Sequence, residues 1–319
     1  MVISKKIRNI IKIDFMKQQL IVFFLLVIFS TIVSKGIFIS FSNMNNIFKQ
    51  VSIVGIIAVG QLMVILTGGI DLSVGSILAL TTVVVSYCNN CGYSIILSLV
   101  IGFLVGLLCG FINGLFISKV HIPPFLATLA MMNIARGVAY ILSGGNPIYI
   151  SQHEYFVFAR SDIMGINTQI FIWIFVILIG IFILKRTTLG RFIYMTGGNE
   201  KCAYFSAINV KIIKIFVYTI SGLFAAVAGI ILTSKLGMGA PFLSEWSNLD
   251  SIAAVVIGGA SLNGGKGTMA GTIVGTLILG SINNLMNITN ISPYFQKAII
   301  GFIIISAVYM NYFHKDGKS

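Results

Sequence analysis

Between Leu20 and Met310 the chain is a succession of apolar runs, most of them long enough to cross a bilayer, separated by short polar or glycine-rich segments. That pattern leaves few folds open. A helix rises about 1.5 Å per residue, so a membrane core takes roughly 20 apolar residues to cross. Hydrocarbon offers the backbone no hydrogen-bonding partner, so each run must close its own bonds as a helix. Stretches of about ten residues with alternating polarity, which a barrel needs, do not occur. The runs fall at 20–35, 51–67, 73–88, 94–117, 124–142, 169–184, 213–233, 249–262, 268–288 and 294–312. Only 9% of the 319 residues are charged, against about 25% in a soluble domain. The expectation is an all-α polytopic membrane protein with about ten transmembrane helices, some of them broken. Residues 20–313 are read as one membrane domain, with 1–19 and 314–319 as short cytoplasmic ends.

Lysine and arginine accumulate on the cytoplasmic side of membrane helices. With the N-terminus inside, the cytoplasmic segments carry Lys5, Lys6, Arg8, Lys12, Lys17, Lys119, Lys185, Arg186, Arg191, Lys201, Lys211, Lys214, Lys266, Lys315 and Lys318. The outer segments carry Lys35, Lys49, Arg160, Lys235 and Lys297, and Arg136 falls within the fifth run. Both termini are therefore expected in the cytoplasm. The same asymmetry accounts for the net charge of +13, which does not point to nucleic acid. The first run follows basic residues as a signal peptide would, but Ser34-Lys35-Gly36 offers no small-residue cleavage site, so it reads as an uncleaved span.

The second and third runs are divided by Leu66–Ser76, L-T-G-G-I-D-L-S-V-G-S. Asp71 is the only acid between Asp14 and Glu154, and an aspartate at mid-membrane costs about 2.5–3.5 kcal/mol on insertion scales. Gly68 and Gly69 relax the helix before it. Two readings are open. Asp71 or Ser73 caps the helix that follows, or the segment is a discontinuous helix lining a transport path. A second stretch, G-G-A-S-L-N-G-G at Gly258–Gly265, repeats the pattern G-G-x-x-L-x-x-G. Glycine-interrupted runs in corresponding halves point to the permeation route in transporters. On that ground Gly68, Gly69, Asp71 and Ser73, with Gly258, Gly259, Ser261 and Asn263, are the candidate path or gate residues.

Other features are weaker. Gly102, Gly106, Gly110 and Gly114 clear one face of the fourth run for close approach of another helix, in this chain or in a second copy. His121 reads as a loop residue before Pro123 and Pro124, and Arg136 as snorkelling outward or pairing with a loop acid. Trp173 and Trp246 fall near expected outer interfaces, where indoles anchor. Cys88, Cys91, Cys109 and Cys202 form neither a disulfide framework nor a metal set. Ala260–Gly267 approaches a phosphate loop, but Ala260 and Gly267 occupy positions that need Gly and Ser or Thr. With eight acids and three histidines and no paired spacing, no catalytic residue, cofactor or metal site is expected.

Four stretches closely resemble the membrane permease subunits of ribose-type ATP-binding cassette sugar importers. They are Val64–Ser76, His121–Tyr140, Leu189–Glu200 with Ser206–Val210, and Leu249–Thr268. The resemblance covers nearly the whole chain in order. It implies a multi-pass protein of the bacterial inner membrane, a permease dimer with a second copy of the chain, a cytoplasmic ATPase, an extracytoplasmic sugar-binding protein, and a monosaccharide such as ribose, xylose or galactose as cargo. Departures are Cys202-Ala203 in place of two small residues, Ala207 for a glycine, and Asn248 where Glu is common. A rival from another class is a self-contained secondary transporter with Asp71 as its ion site.

The loop 185–214 is the longest inner connection. Gly197-Gly198-Asn199 can end one segment and cap another, with Asn199 as N-cap and Glu200 in the positive first turn. Cys202, Phe205 and Ser206 then share one helical face. Gly198, Asn199, Glu200, Cys202, Ala203, Ser206, Ala207 and Ile208 are the candidate ATPase-coupling residues.

Overall fold

The structure, a computed structural model, describes residues 15–316. Lys5, Lys6, Arg8, Lys12 and Lys318, used above for orientation, lie outside the described residues. The long helices are α1 (Phe15–Val33), α2 (Phe41–Leu66), α3 (Val74–Asn90), α4 (Ile95–Ser118), α5 (Pro124–Ser143) and α6 (Thr168–Arg186). Two short helices follow, α7 (Thr188–Gly198) and α8 (Glu200–Phe205). The chain continues through α9 (Val210–Leu236), α10 (Ser247–Ile257), α11 (Met269–Ile288) and α12 (Pro293–Asp316). A helix occupies every apolar run. Among the described residues, seven are long and apolar enough to cross a membrane, while Val74–Asn90 and Ser247–Ile257 are shorter apolar helices.

The second helix begins about ten residues before the apolar run does. Ser40 caps it, its Oγ accepting from Asn43 N at 3.4 Å. The first turns carry Ser42, Asn43, Asn45, Asn46, Lys49 and Gln50, which hydropathy alone assigns to a loop. Asn43 is nevertheless buried, because it and Asn284 of α11 exchange side-chain amide bonds in both directions at 2.9 Å. A buried amide whose donor and acceptor are both matched costs little.

The core is α2 and α9, surrounded by α3, α4, α6, α10 and α11. Three glycines of the α4 row face α9 of the same chain, while Gly102 faces Val85 and Thr81 of α3. A Cβ at Gly106 would strike the Gly222 carbonyl and Ala226, one at Gly110 the Tyr218 carbonyl, and one at Gly114 the Ile215 backbone. Gly222 faces Gly106 and Gly110 in return, so the two backbones touch, as small-residue packing allows. The close partner of this row is therefore internal.

At one end of the bundle, strand β1 (Ile148–Tyr149) pairs antiparallel with β4 (Met238–Gly239). The hairpin β2 (Asp162–Ile163) to β3 (Ile166–Asn167) turns through Met164 and Gly165, both at positive φ. One sequence expectation changes here and another gains detail. Trp173 is buried, its ring filling the space that Gly55 leaves open, and is not an interfacial anchor. Arg136 donates to the carbonyls of Pro241 and Leu243 and thereby holds the 240–246 loop by its backbone, with the loop acid Glu245 within electrostatic reach of the guanidinium. Trp246 does sit exposed, with Lys297 Nζ 4.8 Å from its ring centroid.

Candidate functional site

The two glycine-broken segments meet at the opposite end of the bundle. Gly68, at φ +81°, closes α2, its N–H bonding to Ile65 O at 2.9 Å and that of Gly69 to Val64 O at 3.2 Å. A left-handed glycine past the last turn is the usual way to stop a helix. The backbone then runs unpaired until Val74, and side chains from three helices satisfy it. Thr128 Oγ donates to Ile70 O at 3.2 Å, and Asn248 Nδ2 to Leu72 O at 3.3 Å. The Gln61 amide, oriented to satisfy both its ends, donates to Asp71 O at 3.1 Å and accepts from Asp71 N at 3.2 Å. A Glu at 248 could not supply its bond as a carboxylate, since that group only accepts.

Asp71 is fully buried. Its Oδ1 accepts from Ser73 N at 2.9 Å and Ser73 Oγ at 2.6 Å, and its Oδ2 from Ser221 Oγ of α9 at 2.8 Å. Asn113 of α4 donates to Ser73 Oγ at 2.9 Å. The carboxylate thus ties the break to α4 and α9 while covering a free N–H at the start of α3. Gly69 lies against the Tyr218 phenol, so a side chain there meets the protein interior and not a passage. Gly69→Leu is for that reason a packing lesion before it is a probe of a path.

The second break shares part of this geometry. Gly259, at φ +85°, closes α10, with its N–H on Val256 O at 2.9 Å. The left-handed glycine is the second of its pair here and the first in Gly68-Gly69. Three residues after the first glycine, Ser261 Oγ accepts from Asn263 N at 3.3 Å, as Asp71 accepts from Ser73 N. The similarity then ends. α3 starts at once after the first break, whereas 260–268 stays irregular before α11. Of the eight candidates, Gly69, Asp71, Ser73 and Gly258 are buried; Gly68 and Asn263 are exposed, and Gly259 and Ser261 half-buried.

The breaks touch each other and the α7–α8 loop. Gly265 N donates to Leu66 O at 2.9 Å. Gly197, near the end of α7, packs where a Cβ would overlap both Leu66 O and Gly265 N. Gly264 in turn abuts Gly197 and Gly68 N, and Tyr194 Oη donates to Gly267 O at 2.9 Å. Three backbones from distant parts of the chain are therefore in contact through Gly197. The Gly197-Gly198 pair is visible in the sequence, but nothing there says what it approaches.

Two residues further, Asn199 caps α8, its Oδ1 accepting from Cys202 N at 3.0 Å, and Glu200 in the first turn pairs with Lys214 at 2.8 Å. Ala203 and Ile208 are buried and anchor the helix, so they do not form its outer face. Cys202, Tyr204, Phe205 and Ser206 are exposed, Phe205 at 85%. Ala203→Arg would break this anchoring and does not specifically test an outer contact. Ala207 closes α8 at φ +60°, which costs an L-residue roughly 1–2 kcal/mol. Ala207→Gly is expected to raise stability by up to about 1 kcal/mol, measured as a higher unfolding temperature in detergent with uptake unchanged. Among the described residues, no three His, Cys, Asp or Glu side chains come together as a metal site.

Helices long and apolar enough to cross a membrane, with two broken segments in backbone contact with an exposed helical loop, define a helical membrane protein. Residues 43–308 match the family described as branched-chain amino acid transport system / permease component, and the chain belongs to that family. Relatives include the ribose import permease protein RbsC of Bacillus subtilis, 41% identical over 290 residues, 90% of each chain. RbsC of Escherichia coli K12 is 39% identical, over 85% of this chain and 86% of its own. The D-allose transport system permease protein AlsC of the same strain is 36% identical, over 90% and 89%. No solved structure matches.

Proposed function

We propose that this chain is the permease subunit of an ATP-binding cassette importer and forms the translocation path for a monosaccharide. The family description names branched-chain amino acids, but the relatives quoted above carry sugar names at 36–41% identity over most of their length. Ribose and similar sugars are therefore the proposed cargo. Permeases of this kind do not catalyse; a separate cytoplasmic ATPase supplies the energy, and an extracytoplasmic binding protein delivers the sugar. Two copies of the chain make the path, each with about ten membrane segments and both termini in the cytoplasm. The exposed and half-buried members of the breaks, Gly68, Gly259, Ser261 and Asn263, line its inner gate. The buried members, among them Asp71 and Ser73, hold the gate's shape.

The binding protein docks on the far end of the bundle. The loops 146–162 and 235–250 join there through the β1–β4 pairing and through Arg160, which donates to Lys235 O at 3.2 Å. Glu154, Asp162 and Glu245 are exposed on that surface, which suits a salt-sensitive encounter.

The observation that carries the reading is the contact of Gly197 with both breaks, two residues before the cap of α8. It gives α8, with its exposed Cys202, Tyr204 and Phe205, a rigid link to the gate, as a helix that receives force from an ATPase requires. In inside-out vesicles a polar maleimide should label Cys202 readily without the ATPase and several-fold more slowly with it bound. Equal labelling in both states would place the ATPase contact elsewhere.

A further inference from the structure

Beside α8 lies an open groove of about 1240 Å³, walled by the end of α4, the His121 loop, α8 and the first turns of α9. Its size exceeds the roughly 300–1,000 Å³ of small-molecule pockets, so a monosaccharide or nucleotide would not fill it. Its lining is mixed in a particular way. Tyr204 and Phe205 supply exposed aromatic surface at the rim, their rings edge to face at 5.9 Å. Glu200, the acid among the lining residues, is neutralised by Lys214, whose Nζ is 2.8 Å from both carboxylate oxygens. Lys201 and Lys211 remain, both exposed and both lining the groove. The groove is thus apolar at the rim with an uncompensated positive charge of two along its wall.

We propose that this groove receives an acidic, apolar-tipped segment of the partner ATPase, so that the contact is reciprocal: α8 enters the ATPase, and the ATPase enters the permease between α8 and α9. The proposal rests on the reading of 185–214 as the coupling loop. Charge complementarity selects the occupant. Carboxylates on the segment face Lys201 and Lys211, and an apolar side chain covers Tyr204 and Phe205, the aromatic residues that carry binding energy at such contacts. Because the Glu200–Lys214 pair ties α8 to α9, a segment wedged between them would move both helices together.

The test measures binding of the purified ATPase to the permease in nanodiscs, at low and at physiological salt. The Lys201→Glu/Lys211→Glu double variant should lose at least tenfold in affinity at low salt and show a flatter salt dependence. Arg191→Glu, an exposed charge of the same loop outside the groove, should stay within twofold of the unmodified protein. Unfolding temperature checks that the exposed lysine changes leave the fold intact. Unchanged affinity in the double variant, with Cys202 still protected by the ATPase, would overturn the groove proposal and leave the coupling loop standing. Loss of Cys202 protection in the unmodified protein would remove the coupling reading itself. If the double variant binds the ATPase normally but no longer retains phosphatidylglycerol, the groove is a lipid site and the proposal fails.

Discussion

Valine in place of Gly197 is expected to cut ATP-driven sugar uptake at least tenfold, while Gly198→Ala leaves it within twofold of normal. The two glycines are neighbours and differ in what surrounds them. A Cβ on Gly197 overlaps the Leu66 carbonyl oxygen and the Gly265 nitrogen, both backbone atoms that cannot swing aside as a side chain would. A Cβ on Gly198 meets no heavy atom within 4 Å. Valine must therefore push α7 away from the crossing, breaking the Gly265–Leu66 hydrogen bond or tilting α8. Either change removes the link between the exposed helix and the proposed gate. Overpacking of a tight contact typically costs about 1–3 kcal/mol, which leaves a multi-helix membrane domain assembled. The measurement is uptake of labelled ribose into proteoliposomes holding permease, ATPase and binding protein, with ATP hydrolysis recorded in parallel. Continued hydrolysis without uptake is the expected signature of lost coupling. Normal uptake by Gly197→Val would show that the crossing does not transmit the ATPase stroke.

Local signals were legible in the sequence, and long-range contacts were not. The cap of α8 was readable because Asn199 and Glu200 act within one turn of where they stand. The break at Gly68–Ser73 was readable because glycine and aspartate interrupt an apolar run whatever surrounds them. The start of α2 was not readable, since Asn43 is made tolerable by Asn284, far away in the chain. Trp173 was placed by its distance from a span end, but its burial is decided by the missing side chain of Gly55. The α4 glycine row announced a close helix partner without naming α9. The main gap concerned the candidate site. The repeat pointed to two broken segments, and the glycine pair at 197–198 to a helix end, but their meeting depends on how three separate turns dock.

Asp71 provides the sharpest division between a path built by packing and one driven by an ion. Asp71→Asn is expected to retain uptake within about threefold, whereas Asp71→Ala should abolish it and lower the unfolding temperature. An asparagine with its oxygen at the Oδ1 position still accepts from Ser73 N and Ser73 Oγ. Its amide nitrogen then faces Ser221 Oγ, and a hydroxyl rotates to accept as readily as to donate. All three contacts survive, one of them reversed. Alanine removes the acceptor altogether. The Ser73 N–H is then buried without a partner, the Ser73 hydroxyl loses its anchor, and each such donor costs about 1–3 kcal/mol. Helix α3 would start loose, and its ties to α4 through Asn113 and to α9 through Ser221 would part. A carboxylate that carried a proton or a cation would behave differently, because the asparagine would then be as inactive as the alanine despite an unchanged unfolding temperature. Uptake by the two variants with ATP, and with an imposed ion gradient in its place, separates the two mechanisms: a clamp tolerates the loss of charge, and an ion site does not.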